Sequence, residues 1–186
     1  MFNSKELCMI DNMPERLEAG IDSFKSEGRM KTAMYVATVA RTYRKAIDDC
    51  LESEELYRGN MGWYKEQIAA CTYREFTTGF FFGRPDESAQ IYDSNTYRKG
   101  YTYLGMVNGA AEDGGILTEQ RNKFSVGEKI EIMKPDGSNP EAVVLEIRDE
   151  DGNLMESAPH PQQKLQVKLS EQADLYDILR RKEQEN

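Results

Sequence analysis

One histidine, His160, stands in the whole chain of 186 residues, held between two prolines. A two-histidine metal site, or a catalytic centre built on several histidines, is therefore excluded within this sequence. Cysteine is almost as scarce. Cys8, Cys50 and Cys71 are odd in number, lie far apart and form no CxxC pair. That usage supplies no disulfide framework and suits a reducing, cytoplasmic setting. Long hydrophobic runs are missing: no stretch approaches the ~20 apolar residues that a membrane-spanning helix needs. The first residues also lack the apolar core of a secretion signal. Nor is there an excess of positive charge. Lys+Arg number 24 against Asp+Glu 33, a formal net charge of −9, so nucleic-acid binding needs a locally basic face.

What is present divides into two halves of different period. Residues 12–20 carry a polar cap, Pro14 in the first turn and Gly20 at the stop, which predicts a short helix. Residues 21–25 alternate apolar and polar and predict a strand. After the 26–31 connection, Thr32 can cap a long helix to about Leu51. Its apolar positions Val36, Val39, Ala40, Tyr43, Ala46, Ile47, Cys50 and Leu51 recur every three or four residues. A further helix is predicted from Trp63 to about Cys71. One good strand between helices is half of an α/β unit, and a lone strand cannot make a sheet. Beyond residue 76 short β-prone runs alternate with Gly-, Asn- and Pro-bearing turns, at 101–107, 115–119, 128–133, 142–148 and 164–169. That spacing predicts a small antiparallel barrel or sandwich. The expected organisation is α+β: residues 1–75 as an α/β fragment, 76–170 as a β-barrel, and 171–186 as a charged tail or helix.

Several stretches, in order and over about nine-tenths of the chain, resemble the U-32 peptidase family. Residues 2–10 are similar to its "NSKDLCMI" run and residues 19–31 to "AGIDSFKIEGRMK". The likeness continues at 35–39, 43–48, 77–80, 120–127 and 158–163. The resemblance implies the end of a TIM-like α/β barrel followed by a C-terminal β-barrel. It also implies a full-length protein that is either a collagenase-like peptidase or a hydroxylase acting on tRNA, some members using an iron–sulfur cluster. The family's cysteine signature, GxxCxxxxGxC, does not occur here, so no cluster ligand is carried over. By itself the chain is expected to be an incomplete enzyme or a non-catalytic interaction module. Its expected partners are the missing N-terminal barrel portion or a companion subunit, and tRNA, with no membrane. No cofactor is assigned to the chain itself.

The first candidate site is Glu27-Gly28-Arg29 with Lys31, directly after the predicted strand, where α/β barrels place their chemistry. Arg29 offers a rigid fork for a carboxylate or phosphate, and Glu27 can orient it or carry a proton. A salt-bridged loop is the competing reading. Asn3 and Lys5 take the equivalent rim position after the preceding strand. A Ser4–Lys5 nucleophile is disfavoured, because adjacent strand residues point to opposite faces. In the β half, Arg121 and Lys123 join Arg98, Lys99, Tyr101, Tyr103 and Phe124 as a basic and aromatic set for stacking RNA bases. A buried Phe124 between solvated cations is the alternative. Phe80-Phe81-Phe82 is expected to pack between the halves.

Overall fold

The computed structural model describes residues 3–71, 75–85, 90–91 and 100–183. It divides the chain into two compact units, Met1–Lys99 and Gly100–Asn186. Residues 76–99, which the sequence places with the β half, thus belong with the first unit.

The first unit is mainly helical. Strand β1 (Asn3–Ser4) pairs with β4 (Gln90–Ile91), and β2 (Glu6–Leu7) lies parallel to β3 (Phe76–Thr77). A 3-10 turn (Ile10–Asn12) leads into α1 (Met13–Glu18), then α2 (Ala33–Glu52), α3 (Glu54–Gly59) and α4 (Met61–Cys71). The strand predicted at 21–25 does not form: residues 21–28 have no ladder partner among the described residues. Alternation alone is not sufficient, because a strand exists only through hydrogen bonds to a neighbour.

Thr32 caps α2 as expected, its side chain accepting from the Tyr35 N–H at 3.2 Å. Ser53 then ends α2 and starts α3, accepting from the Leu56 N–H at 3.1 Å. The buried stripe of α2 mixes apolar and polar side chains, with Met34 and Ala46 among them. Thr38, Arg41, Thr42 and Asp49 are buried, whereas Val36 is 46% and Leu51 67% exposed. Polar burial is tolerated because each of these side chains finds a partner, although Arg41 Nε itself has none. Arg41 donates to Gln67 at 2.6 Å and lies over the Trp63 ring, while Asp49 accepts from Tyr64, Asn60 and Lys45. Of the apolar face, Tyr43, Ile47 and Cys50 pack against the same core as Ala46, while Val39, Ala40, Tyr43 and Ile47 line a cleft.

Asp49 gives this packing a pH dependence. Burial by itself raises its carboxyl, but the hydrogen bonds from Tyr64, Lys45 and Asn60 outweigh it and hold the pKa below the ordinary value. A depressed folded-state pKa adds stability above the unfolded value of about 3.9, and that stability is lost as pH falls through the folded value. Asp49→Asn is expected to lower the helical melting temperature at pH 7, through a loss of about 1–3 kcal/mol. It should also flatten the decline below pH about 4. Thermal melts followed at the helical circular-dichroism band from pH 7 to pH 3 measure both effects.

The second unit is a closed antiparallel barrel. Its strands are β5 (Tyr101–Ala110), β6 (Ile116–Glu119), β7 (Lys129–Met133), β8 (Glu141–Arg148), β10 (Lys164–Leu169) and β11 (Ile178–Lys182). The order β10-β6-β5-β11-β7-β8 closes because β10 pairs with both β6 and β8, and short β9 (Leu154–Met155) adds to β8. Inward residues such as Leu104, Val107, Phe124, Ile132, Val144, Ile147, Leu165 and Leu179 fill the core. Gly105 is required where β5 meets β6: a Cβ there would fall 2.5 Å from Thr118 Oγ1 and 2.9 Å from the Glu119 carbonyl oxygen.

The segment expected as a charged tail or helix therefore contributes β11, a strand between β5 and β7. Its charge misleads because Arg180 is buried. Arg180 donates to Glu131 Oε2 at 3.0 and 2.8 Å and lies 4.0 Å from the centre of the Tyr101 ring. Phe80, Phe81 and Phe82 are 77%, 50% and 66% exposed, and within the first unit the Phe81 ring lies beside Arg16.

Candidate functional site

The apolar face of α2, strand β2, residues 24–27 and Arg16 of α1 enclose a cleft of about 490 Å³ in the first unit. Two carboxylates reach it. Glu6 Oε1 accepts from the Tyr35 hydroxyl at 2.7 Å and from Lys31 Nζ at 3.0 Å. Lys31 also sits 4.6 Å from the centre of the Tyr35 ring, so its charge is held between an anion and a π face. Glu27 accepts from the backbone N–H of Arg29 at 3.3 Å.

The turn from 28 to 31 is closed by the Lys31 N–H on the Gly28 carbonyl at 2.9 Å. Gly28 is needed there for close approach: an added Cβ would lie 2.9 Å from Val36 Cγ2. The cleft thus depends on this loop packing directly against α2.

Deeper in the cleft, the Tyr43 hydroxyl accepts from the Met9 N–H at 2.9 Å and lies 3.5 Å from Cys8 Sγ. Burial pushes the Tyr43 phenol up, and its contact with Cys8 adds to the rise. The group therefore stays protonated at neutral pH. The Arg16 guanidinium lies 5.7 Å from the centre of the Phe24 ring and 5.3 Å from that of Phe81. Its Nε is buried and has no hydrogen-bond partner.

Of the residues expected from sequence, Glu27 lines the cleft and Lys31 joins it through Glu6. Arg29 is exposed beside them and tied to Glu27 by its backbone. Lys5 pairs instead with Glu75 at 2.8 Å. Asn3 enters the ladder opposite Ile91.

The barrel cations are arranged differently from the expected stacking platform. Arg121 is paired with Glu119 at 3.0 Å, and Lys123 is exposed, its carbonyl accepting from Arg181. Phe124 is only 1% exposed and Tyr101 is covered by Arg180, so neither ring is free to stack on a base. Arg98 and Lys99 lie outside the described residues.

The 120–127 and 158–163 stretches close one end of the barrel together. Gln120 donates from its side chain to the Ala158 carbonyl at 2.9 Å and from its backbone to the Gln163 carbonyl at 2.8 Å. Among the described residues, no three His, Cys, Asp or Glu side chains gather to hold a metal. No helix among the described residues is long and apolar enough to cross a membrane.

Two family profiles cover the chain in succession, "Peptidase family U32" over residues 1–91 and "Peptidase family U32 C-terminal domain" over residues 99–180. The chain belongs to peptidase family U32. Among its U32 relatives, tRNA hydroxylation protein P1 of Bacillus subtilis is 35% identical over 97% of this chain and 43% of its own length. A collagenase of Porphyromonas gingivalis is 30% identical over 73% of this chain and 38% of its own length. The chain therefore spans less than half the length of either relative. The solved C-terminal domain of a Geobacillus thermoleovorans U32 protein is 32% identical, with a TM-score of 0.39, over 43% of this chain and 99% of that one.

The residues that sequence reasoning missed are Glu6, Arg16, Tyr35 and Tyr43. The only signal for them was indirect, an apolar face on α2 that included Tyr43 and had no evident cover.

Proposed function

We propose that this chain is the C-terminal part of a U32 protein that takes part in hydroxylating tRNA uridine in the cytoplasm. The similarity to tRNA hydroxylation protein P1 across 97% of the chain, both units included, carries this reading. In it, the first unit contributes the cleft. Glu6 and Tyr35 position Lys31, and Glu27 stands on the rim as a proton carrier. Arg29 supplies an exposed fork for a phosphate or carboxylate of the substrate. Arg121 and Lys123 on the barrel contact the tRNA backbone rather than stack its bases.

The remaining portion of the U32 protein, or a companion subunit, provides strands for the unpaired 21–28 segment and holds any iron–sulfur cluster. That cluster would supply the redox chemistry. The chain's own residues bind and orient.

Expression of the whole protein in a bacterium lacking tRNA uridine hydroxylation, with mass spectrometry of the tRNA nucleosides, tests the proposal. The expected result is the return of hydroxylated uridine. The relationship to a collagenase favours a second reading, peptide hydrolysis. Gelatin cleavage by the same protein without any return of the nucleoside would select it. Neither activity would leave an interaction module.

A further inference from the structure

We propose that the barrel takes a short acidic peptide strand into the opening between β7 and β11. The inference concerns an interaction surface and does not depend on which reaction the whole protein performs.

The opening is set by the strand registers. The β11–β7 ladder places Ile178 opposite Met133, Leu179 opposite Ile132 and Arg180 opposite Glu131, and stops there. Both strands then go on without each other. Strand β11 stays paired with β5 as far as Lys182 opposite Tyr101, and β7 stays paired with β8 as far as Lys129 opposite Val143. Carrying the lost register on by two residues sets Lys182 opposite Lys129. Like charges directly opposite destabilise a ladder, which gives the strands a reason to part here. The gap holds about 520 Å³ and is lined by residues 128–131, Glu141 and residues 181–183.

What the opening presents is backbone. Along an antiparallel strand, successive residues turn their N–H and C=O to opposite neighbours. The Ile132 N–H donates to the Pro140 carbonyl, and the Glu128 carbonyl accepts from Val144, so the even residues of β7 face β8. Lys129 therefore turns its N–H and C=O toward β11, which does not meet them in the ladder. The same alternation turns Lys182 toward β7, because the Glu183 N–H donates to the Gly100 carbonyl at the head of β5. A peptide brings donors and acceptors at the spacing of these edges, whereas a row of phosphates can only accept.

Charge then selects the peptide. Lys129 and Lys182 are exposed and have no ion pair among the described residues. Most carboxylates at the gap are taken: Arg181 holds Glu128 and Glu183, and Arg180 holds Glu131. Glu141 is the remaining anion of the lining. Positive charge on both edges, in a chain of net charge −9, favours a segment rich in Asp or Glu. Arg181 spans the gap to Glu128 and to the Lys123 carbonyl, so it props the two strands apart. Edges already held open lower the ordering cost of binding.

The test records backbone amide signals of the full 186-residue chain in nitrogen-15 spectra. Three probes are titrated at constant ionic strength. They are an acetylated, amidated pentapeptide of alternating glutamate and valine, the same peptide N-methylated throughout, and a uridine decanucleotide. The Lys129 and Lys182 amides are expected to shift saturably with the first probe only. Lys129→Glu sets opposite charges across the gap and should extend the ladder, slowing hydrogen exchange at amide 129. It should also weaken peptide binding by about tenfold or more.

Lys182→Glu should do the same from the other strand, so the test stands even if one variant is unstable. No saturable shift at these two amides overturns the site. An equal response to the N-methylated peptide overturns strand pairing, and a response to the oligonucleotide alone overturns the ligand class.

Discussion

Arg180→Met is expected to destabilise the barrel by about 3 kcal/mol, a large share of the 5–15 kcal/mol that holds a typical domain together. The arginine is 1% exposed and sits in β11, between β5 and β7. Its guanidinium makes two bonds to Glu131 on β7, covers the Tyr101 ring on β5, and contacts Met133 Sδ at 3.6 Å. One side chain thus ties three adjacent strands. Methionine keeps the apolar stem but leaves the Glu131 carboxylate without its cation. Glu131 retains 17% side-chain exposure and still accepts from the Tyr101 hydroxyl at 3.1 Å, so the lower end of the range for broken buried pairs applies. Replacing both partners, Arg180→Met with Glu131→Leu, should recover much of the loss, because no charge is then stranded. Urea titrations of the barrel's amide signals in the two single variants and the double variant give the coupling directly.

The second large effect is expected in function. Lys31→Met keeps the length of the side chain and its contact with Tyr35, but removes the charge that Glu6 holds at 3.0 Å. The Lys31 side chain is 37% exposed, so the cost to stability should be small, within about 1 kcal/mol. The cost to positioning should be larger. The Lys31 ammonium ties the turn that bears Arg29 to Glu6 of β2, and small displacements of positioned groups can reduce rates by roughly a hundredfold. In the whole protein, a loss of tRNA hydroxylation of at least about tenfold is expected, with the folded amount unchanged.

Much of this architecture was legible in the sequence, for reasons that are local. Thr32 announces α2 through its cap, and five barrel strands follow from alternation bounded by turn residues. Features that depend on tertiary partners were not legible. The 21–25 segment has the pattern of a strand and no neighbour to pair with. Helix α3 was passed over although Ser53, Glu54 and Arg58 are a cap, a first-turn acid and its i+4 partner.

Strand β11 reads as a solvated tail because Arg180, Arg181 and Lys182 stand in a row. Only the fold reveals that Glu131 and Glu128 meet the two arginines from β7 and the turn before it. On α2 the apolar stripe predicts a buried face, and Ala46 is buried as that pattern asks, but Arg41 and Asp49 are buried beside it because Gln67, Trp63 and Tyr64 of α4 and Asn60 before it partner them. Val36, Val39 and Ala40, on the rest of the apolar stripe, stay outside that core, and Val39 and Ala40 line the cleft. Glu27 and Lys31 were recognisable from their position after a predicted strand. Arg16, Glu6 and Tyr35 come from other elements and meet them only in three dimensions.

The most direct test is mass spectrometry of tRNA nucleosides from a hydroxylation-deficient bacterium expressing the whole protein, compared with its Lys31→Met variant. Hydroxylated uridine restored by the wild type and reduced at least about tenfold by the variant, at equal protein level, is the expected result. Full restoration by the variant would show that this cleft takes no part in the chemistry, and no restoration by either would remove tRNA hydroxylation as the function.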